Sequence, residues 1–295
     1  MTSITNSMAN IILEIHHINV GTGDATLIIM RDVALTENAL TSAKIGLPAT
    51  RTEMIHTAFE QKVPLDGTVL NAILIDGGND KGKANKINNY LKKAGVQNLN
   101  YYFTSHYHRD HIGGTPGINA INRKETIIYD RGNGLPYNIR KPMLHKYRDS
   151  VKVDSTHYIS CKWRDCVDVK SILLGKGTND IPITLKSVVA DSVVFNGTGA
   201  SKIAKNENDF SLGWLLQYGK YVYFTSGDLG GTNQSNYVDL ETPMIKAIND
   251  VLNIDHICTF KLDHHGSGTS NNEEFIEKRT ADKPYVSKER RVSFC

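Results

Sequence analysis

The sequence predicts a layered α/β (α+β) fold in a single domain. Three observations point there: short apolar runs that stop at glycine turns, segments with apolar residues at helical spacing, and the interleaving of the two along the chain. At 295 residues and 40% hydrophobic content the chain can bury a full core. The runs at 11–18 and 25–30 read as strands flanking Gly21-Thr22-Gly23-Asp24, a hairpin. Residues 31–68 are polar with weak helical signals and read as an insertion, after which 69–75 is a buried-strand run ending at Asp76-Gly77-Gly78. Ala84, Ile87, Tyr90 and Leu91 recur at helical spacing in a helix over 83–93, closed by Gly95, and 100–104 reads as the next strand. Residues 115–180 look irregular, with turn signals at Arg131-Gly132-Asn133-Gly134, and suit a substrate-facing insertion. Strands are expected at 183–190, 211–218, 221–225 and 256–262, and a helix at 242–252. There is no internal repeat and no low-complexity tract.

Composition excludes several classes. The 34 basic residues nearly balance the 31 acidic ones, giving a net charge of +3, so no general nucleic-acid coat is implied. Cys161, Cys166, Cys258 and Cys295 have neither the density of a disulfide scaffold nor the spacing of a zinc ribbon, and read as reduced. The first residues lack a basic segment leading into an apolar one, and no run reaches the roughly 18 apolar residues of a membrane span. A cytoplasmic protein without membrane attachment is the expectation.

Chemistry concentrates after the strand at 100–104. Between His106 and His111 the chain places three imidazoles and a carboxylate, His106, His108, Asp110 and His111, followed by Gly113-Gly114. A single loop histidine is ordinarily a solvated side chain. Four such groups so close together suit zinc, manganese or iron, because alternate positions of an extended loop aim two ligands at one ion and the next pair turns toward a second.

The pattern HxHxDH with Gly-Gly behind it is similar to the signature of the metallo-β-lactamase superfamily. The resemblance continues through Asn19 to Leu27, which looks like the opening strand pair of the hydrolase domain in ComEC-type DNA-uptake proteins. It extends to Leu74-Ile75-Asp76-Gly77-Gly78, Asn208-Asp209-Phe210-Ser211-Leu212, Thr225-Ser226-Gly227-Asp228 and Lys261-Leu262-Asp263-His264-His265-Gly266-Ser267. Domains of this branch, phosphorylcholine esterases included, share an αββα sandwich with metals at one edge. The resemblance implies a hydrolase domain over 1–278, with the two insertions, and an atypical tail over 279–295. It also implies further elements after His265, so a C-terminally truncated sandwich with an unpaired edge on its second sheet is expected.

Carried over by position, His106 and His108 hold one ion, Asp110 and His111 the other, and Asp228 bridges them. One or both of His264 and His265 complete the site. The cofactors implied are two divalent ions, zinc first and manganese or iron as alternatives; between them a water ionises near neutral pH, its pKa drawn toward about 7. Asp110 is expected to orient or deprotonate that water, and whichever of His264 and His265 is not a ligand to bind substrate or protonate the leaving group. Asp76 is read as support for a ligand imidazole. Asp24 is read as a turn residue, and Arg109 and Lys261 as either solvated or in reach of a substrate phosphate. His145 and His157 are read as unconnected with the metals. The leading function is a phosphodiesterase or nuclease acting on a small phosphodiester or single-stranded nucleic acid. Hydrolysis of lactones, thioesters or β-lactams, and metal binding without turnover, are the alternatives.

Overall fold

In β2 (Thr26–Asp32), Leu27 and Ile29 enter one apolar cluster while Ile28 and Met30 enter another. Successive side chains of a strand point to opposite faces, so this strand is covered on both. Its neighbour β3 (Thr68–Ile75) repeats the division, with Ala72 and Leu74 on one side and Ile73 and Ile75 on the other. The computed structural model describes residues 11–33, 67–132, 141–151, 157–161, 171–195, 204, 206–234, 236–277 and 290–294. Most of the expected insertion at 31–68 therefore lies outside the described residues.

The first sheet runs in the order β13 (Arg290–Phe294), β1 (Ile11–His17), β2, β3, β4 (Tyr101–Phe103), β5 (Ile127–Asp130), β6 (Tyr158–Ser160). It is antiparallel from β13 to β3 and parallel from β3 to β6. Parallel neighbours need a crossover, and α1 (Lys81–Lys93), α2 (Arg109–Ile112) and α3 (Lys141–Val151) lie in the three crossovers. The second sheet runs β12 (Thr259–Phe260), β11 (Tyr221–Thr225), β10 (Gly213–Tyr218), β8 (Pro182–Ala190), β7 (Ile172–Lys176), with β9 (Val193–Val194) paired to β8. Here α4 (Glu241–Leu252) makes the crossover from β11 to its parallel neighbour β12, and α5 (Glu273–Glu277) follows.

Three apolar clusters define four layers. Ala84, Ile87 and Leu91 of α1 and Leu144, Tyr147 and Val151 of α3 cover the outer face of the first sheet. Ile15, Ile28, Ile73 and Phe103 meet Leu185, Trp214, Leu216 and Tyr223 between the sheets. Met244, Ile245 and Ile248 of α4 and Phe275 of α5 cover Leu215, Val222 and Phe224 on the outer face of the second. The fold is the expected αββα sandwich.

Local chemistry sets the helix ends. Asp80 caps α1 by accepting from the Gly82 and Lys83 backbone N–H groups at 2.9 and 3.2 Å. Lys92 and Lys93 lie in the last turn, where cations meet the negative end of the helix dipole.

Several expectations change. Residues 115–180 are not irregular throughout, since they hold β5, α3, β6 and β7. The helix α3 escapes pattern reading because Pro142 and charged residues surround its apolar positions Leu144, Tyr147 and Val151. The tail contributes β13, whose residues 290–294 pair antiparallel with β1, Leu13 opposite Phe294 and His17 opposite Arg290. The strand expected at 256–262 shortens to Thr259–Phe260. Of the cysteines read as reduced, Cys161 is disulfide-bonded while Cys258 is free. Among the described residues no helix is long and apolar enough to cross a membrane.

A buried polar network ties the β1–β2 hairpin to the end of α1. Glu14 accepts from Arg31 Nε and lies 3.0 Å from His16 Nε2, while Arg31 Nη2 donates to the Ala94 carbonyl at 2.8 Å and His16 Nδ1 lies 3.0 Å from the Tyr90 hydroxyl. Burial pushes the Glu14 carboxyl up, but His16 and Arg31 outweigh it and hold the group below its ordinary value. A carboxylate with a depressed folded pKa contributes stability in full above its unfolded value, and that contribution is lost as pH falls through the folded value. Glu14→Gln, which strands the Arg31 charge, should cost about 3–5 kcal/mol in urea unfolding at pH 7. The gap between wild type and variant should narrow as pH falls below about 4.3, the unperturbed glutamate value.

Candidate metal centre

Both sheets send loops to one edge of the sandwich. The first contributes Asp76-Gly77-Gly78 after β3 and residues 104–112 after β4; the second contributes Ser226-Gly227-Asp228 after β11 and residues 261–266 after β12. Chain leaving β4 stays extended through His108 (φ −65°, ψ 152°), then α2 begins and the His111 N–H bonds the His108 carbonyl at 3.1 Å. The extended part aims His106 and His108 the same way, and the helical turn swings Asp110 and His111 beside them. Gly113 allows this tight return, because a Cβ there would overlap the Asn79 carbonyl.

Asp228 lies at the centre. Its Oδ1 stands 3.3 Å from His111 Nε2 and 3.8 Å from His265 Nε2, whereas its Oδ2 stands 3.7 Å from His106 Nε2 and 3.9 Å from His264 Nε2. Donor atoms of Asp110, His111, Asp228 and His265 all lie within 4.8 Å of one another, as do those of His106, His108 and Asp228. The two groups share only Asp228. His265 Nε2 is 3.1 Å from Asp110 Oδ2, and His106 Nε2 is 3.0 Å from His108 Nδ1.

These residues fit divalent ions. His111 Nε2 and Asp228 Oδ1 are buried and face each other at 3.3 Å without a well-aligned hydrogen bond, which is costly unless something else engages them. Burial, with His111, His108 and Arg131 nearby, holds His106 well below the ordinary imidazole value, so its ring is neutral and has a lone pair to offer. Burial alone would depress His111 too, yet Asp228 and Asp76 raise it well above the usual range. Hydrogen bonds to Asp110 and Asp24 push His265 up to about 10. An acidic cluster that draws protons onto two of its histidines is one that cations can neutralise.

Supporting residues fix the donors. Asp76 Oδ1 accepts from Ser105 N–H at 2.8 Å, and its Oδ2 accepts from Ser105 Oγ at 2.7 Å and from His111 Nδ1 at 2.8 Å, which turns His111 Nε2 into the cluster. Ser211 Oγ accepts from Asp228 N–H at 3.2 Å, and Gly227 (φ +107°) passes where a Cβ would strike Ser105. His264 lies at the rim, its Nδ1 3.0 Å from Thr269 Oγ1 and its Nε2 3.3 Å from the Asn208 amide, outside both donor groups.

Two residues, Asp24 and Lys261, differ from the sequence reading, while Arg109 takes the solvated one of its two alternatives. Asp24, taken as a turn residue, is buried, and its Oδ2 lies 2.6 Å from Lys261 Nζ. Lys261 is thereby turned inward and buried. Arg109 is exposed and lines an open cavity of about 750 Å³ with Lys81, Lys146 and Met143 rather than the donor cluster. Among the described residues, His145 and His157 belong to neither donor group.

Sequence reasoning also missed a buried clamp. Glu207 Oε1 accepts from the Tyr107 backbone N–H at 2.9 Å and from Arg131 Nε at 2.8 Å, and Oε2 accepts from Arg131 Nη2 at 2.6 Å. The guanidinium lies over the Tyr107 ring, 4.7 Å from its centroid. Tyr107 separates His106 from His108, so the clamp holds the extended loop at its middle. The one available signal was the position of Glu207 directly before the Asn208-x-x-Ser211 element. Arg131→Met, which abandons a buried carboxylate, should cost about 3–5 kcal/mol in chemical unfolding.

No protein-family model matches the chain, and neither does any curated protein. Solved structures similar to it include the Rm3 metallo-β-lactamase, at 13% identity over 73% of this chain with a TM-score of 0.33. The chain spans 63% of that protein's length. The metallo-β-lactamase fold protein YhfI from Bacillus subtilis is similar at 11% identity over 88% of this chain and 76% of its own, with a TM-score of 0.38. Yeast PDE1 is similar at 12% identity over 85% and 75%, with a TM-score of 0.40.

Proposed function

We propose that the chain is a metal-dependent hydrolase with a dinuclear centre, and that its substrates are phosphodiesters. The observation that carries this reading is the division of Asp228, one oxygen facing His111 and His265 and the other facing His106. In this reading His106, His108 and Asp228 hold one ion, and Asp110, His111, Asp228 and His265 hold the second. Imidazole and carboxylate donors suit zinc best, with manganese or iron as alternatives. When bound, two such ions lower the pKa of a water between them and neutralise charge developing on a phosphoryl oxygen.

The chain's own residues supply the rest. The Asp110 carboxylate is partly exposed and accepts a hydrogen bond from the attacking water, aligning it. His264, half-buried beside Asn208 and held below the ordinary imidazole value chiefly by burial, is neutral, and in this reading it helps bind the substrate rather than supplying the leaving group with a proton. His265 joins the chemistry as a ligand, next to Asp110. A diester is favoured over other esters by the sequence elements similar to ComEC-type and phosphorylcholine-esterase domains, and both a small diester and single-stranded nucleic acid suit an open edge site.

Elemental analysis of the purified chain should find near two divalent ions, with bis-p-nitrophenyl phosphate cleaved. Asp228→Ala should bind fewer ions, and both it and His108→Ala should lose kcat/KM by on the order of 100-fold or more, the scale on which removing one charge-stabilising group acts. Turnover of a lactone or thioester with diesters untouched would replace the diester reading. A chain that binds no ion would end the metallo-hydrolase reading itself.

A further inference from the structure

We infer that Asp24 and Lys261 form a buried positioning pair that holds His265 in the one ring orientation suited to the second ion. The inference rests on the dinuclear reading above and adds to it two residues outside the donor set.

His265 is the donor that packing secures least. Its side chain is 36% exposed, against 0% for His111 and 3% for Asp228. It follows His264 on a turn where both residues take left-handed backbone angles, φ +51° and +53°. An imidazole so placed can rotate and present either nitrogen or carbon to the cluster. What opposes rotation is a carboxylate on each side: Asp24 Oδ1 lies 3.4 Å from Nδ1, and Asp110 Oδ2 lies 3.1 Å from Nε2. With Nδ1–H donating to Asp24, the Nε2 proton that faces Asp110 is the one an ion would displace, which would leave the Nε2 lone pair directed toward Asp110 and Asp228. His111 is held by the same device, its Nδ1 donating to Asp76 at 2.8 Å.

Asp24 can do this because it does not move. Its backbone N–H donates to the Asp110 carbonyl at 3.2 Å, and its carbonyl accepts from Gly78 N–H at 2.9 Å. The β1–β2 turn is thus stitched between the metal loop and the Asp76 turn. Its second oxygen, Oδ2, lies 2.6 Å from Lys261 Nζ, and that ammonium also donates to the Leu262 carbonyl at 3.1 Å and the Gly227 carbonyl at 3.4 Å. Lys261 therefore ties the β1–β2 turn and the Gly227 loop to its own loop.

Lys261 has a second consequence. Asp24, Asp76 and His111 form a third group whose donor atoms lie within 4.8 Å of one another. Left alone, such a group would compete for a cation. An ammonium 2.6 Å from Asp24 already supplies the positive charge there, so Asp24 remains a hydrogen-bond acceptor rather than a ligand. A buried carboxylate without that partner would carry a large desolvation cost.

The test measures the affinity of the second ion by zinc titration against a chelating dye, on wild type, Asp24→Asn, Lys261→Met, Asp24→Asn/Lys261→Met, His265→Ala and Asp24→Asn/His265→Ala. An asparagine has one acceptor oxygen where Asp24 serves two donors, so Asp24→Asn should weaken the second ion by about 10–100-fold and leave the first within threefold. Lys261→Met strands a buried charge and can fail to fold; the double Asp24→Asn/Lys261→Met removes both charges, and it should melt near wild type yet bind the second ion as weakly as Asp24→Asn. Because Asp24 acts through His265, adding Asp24→Asn to His265→Ala should cost nothing more. Two tightly held ions in Asp24→Asn would overturn the inference, as would additive losses in the double variant with His265→Ala. A wild-type chain with at most one ion would overturn the dinuclear reading before any variant is compared, and the inference with it.

Discussion

The candidate centre depends on how the two sheets pack, because neither sheet holds a complete set of donors. The first supplies His106, His108, Asp110 and His111, and the second supplies Asp228 and His265. Their separation is set just beneath, where Phe103 at the end of β4 meets Trp214 near the start of β10, ring centroids 4.6 Å apart and edge to face. Above that contact the sheets are joined directly by the hydrogen bond from Leu212 N–H to the Ser105 carbonyl, 2.9 Å. Interiors are close-packed and transmit small displacements, so a change in this aromatic layer moves one half of the donor set against the other.

Charge is arranged around that joint with equal economy. Asp76, Asp228, Asp24 and Asp263 are all buried within it, and Lys261 and His111 lie in their midst. Farther out, the Arg131–Glu207 pair is neutral as a unit and grips the backbone between the first two histidines. Removing carboxylates from water is expensive unless they are paired. Ions that bind the folded chain alone also stabilise it by mass action, which ties the acidity of the site to the stability of the fold.

Much of the fold was legible in the sequence because two-sided burial writes itself as runs such as 25–30 and 69–75. The compact histidine loop was legible for a different reason, being local: its members lie within six residues of one another. What could not be read is long-range. Asp24 and Lys261 stand at opposite ends of the sequence, and nothing near either announces the other. Arg131 sits in what reads as a turn, far from Glu207. The helix α3 was hidden by its charged surroundings, and β13 by a polar, basic composition that suits an edge strand as well as a loop.

Trp214 gives the aromatic layer a further use. It is one of only two tryptophans in the chain, and it is 2% exposed, flanked by Phe103 and Tyr129. An indole in so apolar a setting emits at shorter wavelength than one in water, and its emission shifts to the red when the two sheets part. The molecule thus carries an optical gauge at the joint between the halves of its donor set, readable in solution without a label.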